Sequence, residues 1–89
     1  MKERIVKLTA EEDARCRQIV EVLFADYLKN RENLCVTKTE RYGYLVLIWI
    51  GEETFETSAI CRSAEELYEE LLRSWELDYL YQTGLENGV

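Results

Sequence analysis

Apolar positions change their period along this chain, and each change marks a new element. From Cys16 they recur at three- and four-residue steps through Ile19, Val20, Leu23, Tyr27 and Leu28, with Phe24 beside them. That is the stripe of an amphipathic helix. Thr9-Ala-Glu-Glu12 opens it as a capping box: the Thr9 hydroxyl suits the amide of residue 12, and Glu12 can reach back. Glu11, Glu12 and Asp13 complement the positive end of the helix, and Lys29 and Arg31 its negative end, so it should finish around residues 31–33. Val22 falls off the stripe.

The period then drops to two. Residues 34–39 (LCVTKT) read as a strand, residues 42–50 (YGYLVLIWI) as a second, and residues 54–60 (TFETSAI) as a third. Glu40–Gly43 and Gly51–Glu53 supply the turns between them. Connections this short make two antiparallel hairpins, because parallel pairing needs a long crossover. Helical spacing returns after Ser63-Ala-Glu-Glu66, a second capping box, with Ala64, Leu67, Tyr68, Leu71, Leu72, Trp75 and Tyr79 on one stripe. Gly84 is placed to end that helix. Leu77, Leu80 and Tyr81 lie off its stripe.

These elements predict an α+β fold in the order α-β-β-β-α: a three-stranded antiparallel meander with two long helices packed on one face. The chain is a single domain over residues 1–89, with residues 1–8 as a lead-in and 85–89 as a flexible tail. The inner face of the sheet would carry Leu34 and Val36, then Tyr44, Val46, Ile48 and Ile50, then Phe55, Thr57, Ala59 and Cys61.

The middle strand is the informative one, because it is apolar on both faces. Leu45, Leu47 and Trp49 face away from the helices, with Ile60 beside them and a border of Thr37, Thr39, Glu56 and Ser58. Monomeric proteins seldom leave such a patch unused. A domain of 89 residues is also short of core, and covering this patch on two copies would add buried area. Leu45, Leu47, Trp49 and Ile60 are therefore the expected contact of a homodimer.

Composition narrows the chemistry. There is no histidine, hence no imidazole base and no histidine metal ligand, and no GxGxxG or GxxxxGK is present. Cys16, Cys35 and Cys61 are odd in number and lack metal-site spacing, so no metal or cofactor is expected. With no signal peptide, they point to a reducing, cytoplasmic interior. Cys35 and Cys61 remain candidate reactive thiols, each with a cation nearby in sequence.

The net charge of −7 is unevenly placed: residues 42–89 hold ten acidic and two basic side chains. That half opposes phosphate backbones and anionic membranes alike. The α-β-β-β-α order is also that of double-stranded RNA-binding domains, which set lysines at the start of the last helix. Here that position reads Ser63-Ala-Glu-Glu66, so the sign is wrong for nucleic acid. The leading expectation is a noncatalytic accessory or regulatory protein that dimerises and binds another protein. The alternative is a small-molecule-binding protein or small enzyme, with a pocket between helices and sheet lined by Tyr27, Tyr44, Tyr68, Trp75 and Tyr79.

Overall fold

In the computed structural model, which describes residues 7–86, α1 (Ala10–Gln18) passes through a π-helical segment (Ile19–Leu23) into α2 (Ala25–Asn30). The strands β1 (Leu34–Lys38), β2 (Tyr44–Gly51) and β3 (Thr54–Cys61) follow, then the long α3 (Ala64–Glu86). The sheet is antiparallel in the order β1-β2-β3. The α+β class and the meander stand as expected, whereas the single first helix is two helices joined by a wide turn.

That turn has a definite cause in the backbone. The Phe24 amide donates to the Ile19 carbonyl, five residues back, at 2.9 Å, and Phe24 itself leaves helical geometry at φ −109°, ψ 17°. The extra residue in the turn rotates the stripe. Phe24 enters the core and Leu23, expected there, is turned out to solvent. Val22, off the stripe in sequence, is exposed beside it.

Both capping boxes make their expected first bond: Glu12 N donates to Thr9 Oγ1, and Glu66 N to Ser63 Oγ, each at 3.1 Å. Glu12 does something further. Its carboxylate accepts from the amide of Ala64 at 3.0 Å, so it caps the start of α3 and pins the two helix N-termini together. The core between helices and sheet is then Cys16 and Phe24 from the first helical arm, Leu34, Tyr44, Val46 and Cys61 from the sheet, and Ala64, Leu67 and Leu71 from α3. Of the expected lead-in, Leu8 packs against the same cluster, on the helical side, Lys7 is exposed, and residues 1–6 lie outside the described residues.

Two bulges set which side chains face outward. Val46 pairs with Ala59 but Leu47 with Thr57, which leaves Ser58 as an extra residue in β3. A one-residue slip exchanges faces. Phe55 and Thr57, expected inside, are therefore outside, opposite Trp49 and Leu47, while Glu56 sits opposite Ile48 on the helical face. The second irregularity isolates Ile50 before a two-residue turn in which Glu52 and Glu53 take φ of 51° and 59°. Left-handed conformations at two non-glycine residues cost on the order of 1 kcal/mol each.

α3 also differs from expectation at its far end. It continues through Gly84 to Glu86 without a break, so Gly84 is no cap; of the expected tail over residues 85–89, residues 87–89 lie outside the described residues. Leu77, Leu80 and Tyr81 stand exposed along this unbroken helix and cover no part of the sheet.

Candidate functional site

The outer face of the sheet is built from three cross-strand rows. Thr37, Leu45 and Ile60 form the first, Cys35, Leu47 and Thr57 the second, and Trp49 with Phe55 the third. The Trp49 and Phe55 rings meet edge to face with centroids 5.2 Å apart, a favourable cross-strand pair. None of these eight side chains is charged. The described helices pack on the opposite face, and Trp49, Phe55 and Ile60 keep 38%, 47% and 44% of their surface accessible. Leu45 and Leu47, shielded by their neighbours, are half-buried.

All four expected contact residues thus share one face, and Phe55 joins them. Sequence reasoning placed Phe55 inside because strict alternation carries no sign of the bulge at Ser58. The available hint was the weak strand character of Glu56-Thr57-Ser58 compared with β2.

The five aromatics of the alternative pocket do not converge. Tyr44 is buried at the start of β2, where its hydroxyl donates to Asp13 at 2.9 Å and Lys38 pairs with the same carboxylate oxygen at 2.8 Å. Lys38 and the Tyr44 hydroxyl together hold the Asp13 carboxyl below its ordinary pKa, while burial and then the Asp13 carboxylate push the Tyr44 phenol well up. This is a structural latch between α1 and the sheet.

Tyr27, Trp75 and Tyr79 do meet, at the far end, in an open cleft of about 290 Å³ between α2 and α3. Trp75 and Tyr79 stack with ring planes 13° apart. Below them lies a polar knot. The Tyr27 hydroxyl donates to Asp78 at 2.6 Å and lies 2.8 Å from Ser74 Oγ, and the Arg31 guanidinium pairs with Asp78 and sits over the Tyr27 ring. Tyr68 lies against Phe24 in an adjoining groove on the outside of the helices, which Tyr27 and Trp75 also line.

The cysteines divide by burial. Cys16 and Cys61 are enclosed, and desolvation first, then nearby carboxylates, raises both thiols, Cys61 to about 11. Cys61, a candidate reactive thiol by sequence, is therefore held in its inert protonated form, and Cys35 alone is exposed. An aromatic disulfide reagent added to the folded protein, at concentrations low enough to keep it monomeric and Cys35 uncovered, is expected to titrate one thiol rapidly. The other two should appear only in denaturant, and fast reaction of all three would contradict this burial.

Among the described residues, no group of three cysteine or carboxylate side chains is placed to hold a metal ion, and no helix is long and apolar enough to cross a membrane. No family model matches the chain, and neither a curated protein nor a solved structure does.

Proposed function

We propose that this chain is a noncatalytic accessory or regulatory protein that acts by homodimerising and binding another protein. The observation that supports it is the outer sheet face: Leu45, Leu47, Trp49, Phe55 and Ile60 form one uncharged apolar surface with no described segment over it. The occupant is a second copy. Two twisted sheets pack face to face about 10 Å apart with their strands within roughly 30° of each other, so two copies would close a six-stranded sandwich about a twofold axis. Charge favours this face for self-contact. Each chain carries −7, and two copies approach with least repulsion where neither presents a charge.

The test is solution mass across a concentration series for the wild type and Trp49→Glu. The wild type should approach twice its 10.6 kDa chain mass, and the variant should stay folded by circular dichroism at the monomer mass. A buried glutamate on each partner costs several kcal/mol, which weakens the dimer by at least about a hundredfold. A wild type that remains monomeric into the hundred-micromolar range would sink the dimer.

The small-molecule or enzyme reading draws on the cleft of Tyr27, Trp75 and Tyr79, whose stacked rings suit a planar ligand. Arg31 and Asp78 satisfy each other there. The cleft therefore offers stacking and shape rather than a poised acid or base.

A further inference from the structure

The π-helical turn that expels Leu23 builds a second surface, on the helical side of the molecule. Leu23 from that turn and Phe24 and Tyr27 after it form one wall and the floor of a groove; Tyr68, Leu72 and Trp75 of α3 form the other wall. The volume is about 390 Å³ and the floor is apolar. Leu23, Tyr68 and Trp75 keep 59%, 39% and 42% of their surface open, so the groove is unfilled by described residues. Tyr68, Leu72, Trp75 and Tyr79 follow at steps of four, three and four, which makes a straight apolar seam about 16 Å long. That length matches three turns of a helix laid between α2 and α3.

The borders of this groove are acidic. Asp26 lines it on the α2 side. On α3, Glu65 and Glu76 are exposed on the strip next to the seam, about 60° round the helix from Tyr68 and about 100° from Trp75. No lysine or arginine is among the described residues lining the groove itself, and Arg31, at the Tyr79 end of the seam, is already paired with Asp78. We infer that this groove receives a basic amphipathic helix of a partner protein, with apolar side chains at i, i+3 or i+4, and i+7 on the floor and lysines or arginines against Asp26 on one side and Glu65 and Glu76 on the other. A second copy of this chain is the wrong occupant, because it would bring an equally acidic helix against the same glutamates. The inference rests on the reading of the chain as an interaction protein, and not on the sheet-face dimer, which uses the opposite side.

Trp49→Phe leaves Trp75 as the sole tryptophan and therefore as a local reporter. The probe is an amphipathic lysine–leucine peptide about four helical turns long, with a scrambled peptide of the same composition as control. The amphipathic peptide should shift Trp75 emission to the blue, saturably, with affinity that falls as salt is added. Asp26→Lys with Glu76→Lys should weaken it at least about tenfold, while Glu52→Lys with Glu53→Lys, an equal charge change at the far hairpin, should weaken it less than about threefold. Equal weakening by the two double variants, scrambled peptide binding as tightly, or an unmoved Trp75 spectrum would each overturn the inference. So would self-association of the Trp49→Glu protein that is lost on Trp75→Ala, which would assign the groove to a second copy. A monomeric wild type would remove the dimer and leave this test intact.

Discussion

Gly43→Ala is expected to lower the stability of the folded chain by about 3 kcal/mol, with the unfolding midpoint falling roughly 15 °C for a domain of this size. Gly43 is buried between β1 and β2 with φ of 77°, in the left-handed region where a side chain costs on the order of 1 kcal/mol. The second contribution is larger. A Cβ at this position would stand 2.4 Å from the Cys61 carbonyl oxygen, and backbone cannot swing aside as a flexible side chain can. The surroundings are also fixed from the other direction. The Gly43 carbonyl accepts from both the amide and the hydroxyl of Thr39, at 2.8 and 2.9 Å, and the same hydroxyl accepts from Tyr42 N. Relief of the clash must therefore open either this turn or the end of β3, where Cys61 belongs to the core. Thermal unfolding by circular dichroism measures the loss, and an alanine variant within about 0.5 kcal/mol of wild type would show that β2 and β3 do not approach this closely.

Gly43 also shows what a sequence can and cannot reveal. Its freedom to adopt positive φ is legible from its place between two strand-like runs. The close approach to Cys61 is not, because it depends on two elements eighteen residues apart packing side by side. The same division holds elsewhere. Capping boxes are local, so Thr9 and Ser63 announce their helices correctly, yet Glu12 is drawn to Ala64 across the molecule instead of back to Thr9. Alternation correctly separates Leu45, Leu47 and Trp49 from Tyr44 and Val46 in β2, which runs without irregularity over that span. It fails in β3 because one unpaired serine inverts everything before it, and it fails in the first helical arm because one π turn exchanges Leu23 for Phe24. Irregularities of a single residue thus hid Phe55 on the outer face and the groove beside Leu23. The dispersed tyrosines have a different cause: Tyr27 and Tyr44 take their hydroxyls to carboxylates on different elements, Asp78 of α3 and Asp13 of α1, so shared chemistry did not mean shared location.

Leu71→Ala and Leu77→Ala, two substitutions in one helix, should differ by about 3 kcal/mol. Both exchange leucine for alanine within α3, so helix propensity changes equally and cancels in the comparison. What remains is burial. Leu71 is fully enclosed in the core, and removing a buried leucine side chain costs roughly 2–5 kcal/mol through lost transfer energy and the cavity left behind. Leu77 is 57% exposed, and its truncation in the monomer should change stability by less than about 0.5 kcal/mol. For a chain of 89 residues, total stability is on the order of 4–13 kcal/mol, so the first variant loses a large fraction of it and the second almost none. Urea titrations at low protein concentration read both. Equal losses would mean that the end of α3 folds onto the body of the protein, against the exposure of Leu77, Leu80 and Tyr81. A Leu77→Ala penalty that appears only as protein concentration rises would instead place that strip in an intermolecular contact. An exposed strip of this kind costs the monomer nothing to lose, and its effect on stability emerges only with a partner present.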